Sequence, residues 1–176
     1  MNNANIKLVV LDVDGVMTDG KLLIGSDGNE YKSFNVKDGM GISLARYHGI
    51  QFAIITGRQS KSVAIRAREL NIDHVYQNIS SKAEVLYELI SILNISLNEV
   101  CYIGDDINDL PLINIVGLSF APNDAVELVK DAAHHVIGKN GGQGVVREAV
   151  DLILTKQTDY KQLVLEYLNK KEKVLQ

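Results

Sequence analysis

The chain has 176 residues, 46% hydrophobic and 23% charged, with only two prolines, which suits one globular domain over 1–176 that buries most of its apolar surface. A formal charge of −4 leaves no basic footprint for nucleic acid, and no Lys/Arg run marks a membrane-surface patch. No apolar run reaches the about 18 residues of a membrane span, the first apolar run lacks the flanks of a signal peptide, and the single Cys101 excludes an internal disulfide; a cytoplasmic protein is expected.

In chain order, Leu8-Val9-Val10-Leu11 reads as a buried strand, and two carboxylates, Asp12 and Asp14, follow directly where it ends. Two acids this close repel each other unless a cation sits between them or one holds a proton. Residues 21–24 and 30–36 flank an Asp27-Gly28 pair, the signal of a β-hairpin that spans about 20–36 and projects just beyond Asp14. Asp38 can cap a helix to about His48, with Gly49 past its end. Residues 51–56 read as the second core strand, ending in Thr56-Gly57-Arg58, and Ser60 can cap the next helix. A short strand follows around His74 to Tyr76. Ser81 and Glu84 form a capping-box pattern that puts Lys82 in the first turn of a helix. Val100-Cys101-Tyr102-Ile103 is another buried strand, ending in Gly104-Asp105-Asp106 with Asn108 and Asp109 close behind. Strands at 118–121 and 135–137 enclose a helix at about 124–131 that Asn123 could cap. The glycine-rich loop 138–144 lacks the Gly-Lys-Ser/Thr ending of a P-loop, so it is expected to be structural or to contact a neighbouring subunit. Helices at 145–155 and about 160–171 complete the chain.

Strands alternating with helices imply an α/β fold: a doubly wound, mostly parallel, Rossmann-like sheet covered on both faces. Ligands in such folds bind beyond the carboxyl ends of the strands, where Asp12, Thr56 and Asp105 are all expected. Hard oxygen ligands without His or Cys suit Mg²⁺, with Asp12 and Asp105 as side-chain ligands. A carboxylate that attacks a phosphoryl group forms an acyl phosphate and divides hydrolysis into two steps. Asp14 could protonate the leaving alkoxide and then deprotonate water. Thr56 and the Gly57 N–H could hold the phosphoryl oxygens while Lys82 and Mg²⁺ neutralise them.

Asp12-Val13-Asp14-Gly15-Val16, Ile55-Thr56-Gly57, Lys82 and Gly104-Asp105-Asp106 through Asp109 resemble, in order, the four motifs of the haloacid dehalogenase superfamily. The resemblance implies that Asp12 is the nucleophile and that Asp14 is the general acid/base and also a metal ligand through its carbonyl. It further implies that Thr56 and Lys82 bind phosphate, that Asp105 is a metal ligand, and that Asp109 stands behind the ligands. The extended segments 12–20, 34–41, 56–60 and 141–148 resemble the superfamily's cap-less phosphatases of eight-carbon ulosonate 8-phosphates, enzymes of lipopolysaccharide synthesis. That resemblance places Asn35, Val36, Lys37, Asp38, Gly39, Arg58, Arg66 and Lys82 around an anionic sugar phosphate, with Arg147 as a further candidate contact. The residues themselves agree in part: Asp38-Gly39 opens a helix whose N–H groups can face an anion, and Arg58 and Arg66 offer forks for a carboxylate. The intervals between motifs are too short for a cap domain, so hairpins and C-terminal segments of neighbouring subunits are expected to close the site, and the resemblance implies a homotetramer. A nine-carbon ulosonate 9-phosphate is the alternative substrate. A phospho-accepting receiver domain is the alternative from another class; there, however, the acid pair and the phosphorylated Asp lie on different strands.

Overall fold

The computed structural model describes residues 5–72 and 74–174. Its centre is β1 (Leu8–Leu11), four aliphatic residues with no exposed surface. A two-stranded ribbon, β2 (Leu23–Ile24) and β3 (Glu30–Tyr31), precedes α1 (Val36–His48), β4 (Gln51–Ile55), α2 (Lys61–Glu69), β5 (His74–Tyr76) and α3 (Lys82–Leu93). Then come β6 (Val100–Ile103), α4 (Leu110–Ile113), β7 (Leu118–Ala121), α5 (Glu127–Ala132), β8 (His135–Val136), α6 (Val145–Gln157) and α7 (Tyr160–Val174). The main sheet has the order β5-β4-β1-β6-β7-β8, and every pair in it is parallel.

Side-chain alternation along the strands divides the core in two. Val9, Leu11, Phe52, Ile54, Cys101 and Ile103 pack with residues of α1, α2, α6 and α7. Leu8, Val10, Ala53, Ile55, Val100 and Tyr102 face the opposite side, with residues of α3, α4 and α5. Continuous apolar runs are what a sheet buried on both faces requires. Each fully buried Val, Leu, Ile or Phe contributes roughly 1.5–3 kcal/mol, so the sheet is the stable platform of the molecule.

The strand order reverses at β1, and open α/β sheets carry their ligand crevice at such a switch point. Leu11 is level with both Ile54 and Ile103, so Asp12 emerges level with the ends of its two neighbours. Among the described residues only the ribbon and α1 lie between β1 and β4, and only α2 and β5 between β4 and α3, so no separate cap domain is present. No helix of the described residues is long and apolar enough to cross a membrane.

Several local expectations differ from the structure. The hairpin forms, but its ladder has only the pairs Leu23↔Tyr31 and Ile24↔Glu30, because a lone two-stranded ribbon without a packed layer is marginally stable. Asn35, not Asp38, caps α1, accepting the Lys37 N–H at 2.9 Å. Ser81 precedes α3 but makes no capping bond; the capping boxes form instead at Ser96 with Glu99 and at Asp106 with Asp109. Asn123 does not cap α5, which starts after Val126; its side chain and N–H bond to Asn140 and to the Lys139 carbonyl.

Candidate active site

The loop after β1 is a tight turn in which the Val13 carbonyl accepts N–H groups from Val16, Met17 and Thr18. Gly15 has φ +86°, and a Cβ there would lie 1.9 Å from Asp105 Oδ2, so only glycine lets the first acidic loop approach the second. The glycine-rich loop braces this turn from behind. The Gly142 N–H donates to the Val16 carbonyl at 3.0 Å, and a Cβ on Gly141 would lie 2.1 Å from the Gly15 carbonyl oxygen. Its place is therefore structural, directly against the acidic loop.

Three acids, Asp12, Asp105 and Asp109, and a lysine converge above β1 and β6. Lys82, buried in the first turn of α3, donates to Asp109 Oδ1 at 2.6 Å and to the Tyr102 hydroxyl at 3.3 Å, and lies 3.1 Å from Asp12 Oδ2. Burial alone would disfavour its ammonium, but the charges of Asp12 and Asp109 outweigh burial and raise its pKa. Asp109 is fully engaged: Oδ1 accepts from Lys82 and Tyr102, and Oδ2 from the N–H groups of Asp105 and Asp106 at 2.8 and 3.2 Å. It holds the second acidic loop and the lysine in place together.

Asp12 and Asp105 are less satisfied. Burial, then the charge of Asp109, raises Asp12 to about 6 against the pull of Lys82. Burial, then Asp109 and Asp12, raises Asp105 to about 8. Oδ1 of each is buried without a hydrogen-bond partner. One carboxylate oxygen from each of Asp12, Asp105 and Asp109 lies within 4.8 Å of the others. With Asp109 occupied, the open oxygens of Asp12 and Asp105 fit a small hard cation such as Mg²⁺, which takes one or two carboxylates and completes its shell with other oxygens.

These groups open into a cavity of about 210 Å³, lined by Asp12, Asp14, Gly20, Thr56, Gly57, Arg58, Asp105, Asp106 and Asn108. Thr56 is buried at the end of β4, where its N–H donates to the Tyr76 carbonyl at 3.0 Å and its carbonyl accepts from Ile79 at 3.1 Å. Asp14 stands across the cavity between two cations. Its Oδ1 accepts from Lys32 Nζ, and its Oδ2 lies 3.7 Å from Arg58 Nε. Glu30 bridges the same cations, 3.3 Å from Lys32 and 2.6 Å from Arg58, and the Arg58 bond leads the effects that hold its carboxyl below the usual range.

The cavity thus brings together Asp12, Asp14, Thr56, Gly57, Arg58 and Asp105, with Lys82 and Asp109 directly behind Asp12. The remaining expected sugar contacts do not line it within one chain. Asn35 donates to the Gly142 carbonyl at 3.1 Å, while Val36 and Lys37 are exposed on α1. Asp38, only 2% exposed, accepts the Arg147 N–H at 2.8 Å and so caps α6 from another helix; burial raises its carboxyl to about 6. Gly39 packs under Arg66, whose guanidinium pairs with Glu69 at 3.1 Å. The Arg147 Nε donates to both oxygens of Asp151, at 2.8 and 2.9 Å. Spacing alone could not reveal that α1 and α6 pack this closely. Conversely, Glu30, Lys32 and Tyr102 were not anticipated at the site; the available signals were the Glu30/Lys32 alternation and a hydroxyl inside a buried strand.

Residues 71–148 match the haloacid dehalogenase-like hydrolase family. The chain is 47% identical over 154 residues to the 3-deoxy-D-manno-octulosonate 8-phosphate phosphatase of Yersinia pestis, covering 88% of this chain and 82% of that protein. It is 46% identical to the Escherichia coli K12 enzyme over 87% of this chain and 81% of that one. The crystal structure of the Yersinia enzyme superposes with a TM-score of 0.86 over 88% of this chain and 84% of that one. The Moraxella catarrhalis phosphatase, solved with magnesium, phosphate and KDO, superposes with a TM-score of 0.90 at 37% identity over 94% and 95% of the two chains. The chain therefore belongs to the 3-deoxy-D-manno-octulosonate 8-phosphate phosphatases of the haloacid dehalogenase-like hydrolases.

Proposed function

We propose that this protein hydrolyses 3-deoxy-D-manno-octulosonate 8-phosphate to the free sugar acid and inorganic phosphate, as a cytoplasmic step of lipopolysaccharide synthesis, with 1–176 acting as one catalytic domain. The observation that carries the reading is a single cavity lined by Asp12, Asp14, Thr56 and Asp105, in which Asp12 keeps an open Oδ1 while its Oδ2 lies 3.1 Å from the Lys82 ammonium behind it.

In the first step an Asp12 carboxylate oxygen attacks phosphorus. The bond from phosphorus to the sugar oxygen breaks, and that oxygen takes a proton from Asp14. In the second step a water oxygen attacks the aspartyl phosphate, Asp14 takes the water proton, and the bond to Asp12 breaks, so that inorganic phosphate leaves and both acids are restored. Lys82 and Thr56, with the Gly57 N–H, hold the phosphoryl oxygens. Mg²⁺, held by Asp12, Asp105 and the Asp14 carbonyl, supplies further neutralisation of the phosphoryl charge when bound. Arg58, on the cavity rim, takes the substrate carboxylate.

A homotetramer completes the site. The hairpin leaves Leu22, Leu23, Ile24 and Tyr31 exposed, which suits contact with another subunit. Hairpins and C-terminal segments of neighbours close each cavity, and Asn35, Val36 and Lys37 with Arg66 and Arg147 belong to this shared surface, while Asp38 and Gly39 lie buried beneath it and support it. Scattering that showed a fully active monomer would remove this part of the proposal. The activity is tested by Mg²⁺-dependent phosphate release over eight-carbon and nine-carbon ulosonate phosphates and simple sugar phosphates. The eight-carbon substrate is expected to be hydrolysed fastest, and Asp12→Asn to lose roughly 10⁴-fold or more. Unchanged turnover in that variant would overturn the nucleophile assignment.

A further inference from the structure

Lys32 has no part in the mechanism above, yet its side chain is only 1% exposed and its ammonium lies against Asp14. Lysines are seldom withdrawn from water unless paired, because a buried ammonium is costly. Here the pairing is double, with Asp14 Oδ1 on one side and Glu30 Oε1 at 3.3 Å on the other. The placement follows from strand alternation: Glu30 and Lys32 point inward from β3 and the residue after it, while Tyr31 and Ser33 between and beyond them are exposed. Glu30 Oε2 continues to Arg58 at 2.6 Å, and Arg58 Nε returns to Asp14 Oδ2 at 3.7 Å, so four charges of alternating sign close a ring.

We propose that Lys32 is a positioning residue for Asp14: the hairpin delivers an ammonium that orients this carboxyl toward the leaving group of the substrate. The inference rests on the acid/base reading of Asp14. The bond to Lys32 ties down Oδ1, which also lies 3.5 Å from the Thr18 hydroxyl, and leaves Oδ2, buried and without a hydrogen-bond partner, as the oxygen that exchanges the proton. A carboxyl on a loop can rotate about two side-chain bonds, and proton transfer needs one of those orientations. The Glu30–Arg58 bond holds the ribbon over the cavity, so placing the hairpin and aiming Asp14 are one event.

The test uses leaving groups. A sugar alkoxide must be protonated as it departs, whereas a nitrophenolate departs without help. Single-turnover release of the alcohol or phenol, measured with Mg²⁺ present, reads the phosphoryl-transfer step alone. Lys32→Met is expected to slow release from the sugar phosphate by about 100-fold, the scale of a misplaced general acid, while release from p-nitrophenyl phosphate changes only a few-fold. Lys32→Arg, which keeps the charge, is expected to recover most of the lost rate. Equal losses on both substrates, or a rise in KM with the single-turnover rate unchanged, would overturn the proposal, since a merely misfolded or loosened hairpin gives those patterns. Asp14→Asn is the reference and is expected to show the same selectivity more deeply. Equal losses there would overturn the acid/base reading itself, and the proposal with it.

Discussion

Two buried lysines face the two acids of the first loop, and they are held in opposite ways. Lys82 stands on α3, packed against the main sheet, and its partners Asp12 and Asp109 come from the ends of β1 and β6. Lys32 stands on a ribbon with two residue pairs in its ladder, and its partners Asp14 and Glu30 are each about one-fifth exposed. The first ion cluster is built into the hydrophobic core and cannot relax without disturbing it. The second clips a marginal element onto the cavity rim. One cation is placed by the fold, whereas the other helps to place the element that carries it.

This difference can be broken in graded ways. The largest effect on stability is expected from Lys82→Met, which leaves Asp12 and Asp109 buried without their cation. Removing one partner of such a cluster costs about 4 kcal/mol, read as a lowered urea midpoint without added metal. An unchanged midpoint would mean that the carboxylates find other compensation.

Next in size is the response of the same cluster to pH and metal. Burial raises Asp12 to about 6 and Asp105 to about 8, whereas carboxyls of the unfolded chain titrate near pH 4. Between about pH 4 and pH 8 the folded state therefore binds more protons, and the stability of the metal-free protein falls as pH rises through that window, by about 3 kcal/mol for Asp12. Mg²⁺ requires ionised carboxylates, so its stabilising shift in Tm is expected to be larger at pH 8 than at pH 5. An equal shift at both would exclude these two acids as its ligands.

Gly15→Ala should be milder. Its Cβ would meet Asp105 Oδ2, which displaces that ligand and weakens Mg²⁺ binding by roughly 10–100-fold, as measured by calorimetric titration. Unchanged affinity would show that Asp105 is not needed for the ion. The smallest stability effect belongs to the hairpin: Lys32→Met is expected to cost only about 1 kcal/mol in global unfolding, despite its effect on chemistry. A cost as large as that of Lys82→Met would erase the contrast and make the ribbon part of the core.

How much of this was legible in the chain depends on the range of the interactions. Leu8 to Leu11, Phe52 to Ile55 and Val100 to Ile103 read as buried strands because a doubly covered parallel sheet demands continuous apolar runs. The acids at their ends had no structural reason to be there, which made Asp12, Asp14 and Asp105 visible. Hairpin length, the true cap of α1 and the unused Ser81 cap were misread because these ends depend on what packs nearby. Asp38 shows the limit most clearly: its pattern fits a helix N-terminus, and it does sit at one, but that helix is α6, more than a hundred residues away in the chain.

The sequence by itself determined the α/β class, the order of the sheet-end motifs and the acids that meet there, since these follow from local periodicity and from the cost of placing like charges together. Only the tertiary structure decided that Asp109 is saturated while Asp12 and Asp105 keep open oxygens, that the glycine loop braces the acidic turn, and that Lys32 reaches Asp14. Those facts depend on distances between segments remote in the chain, where close packing and the low tolerance for unpaired buried charge select one arrangement.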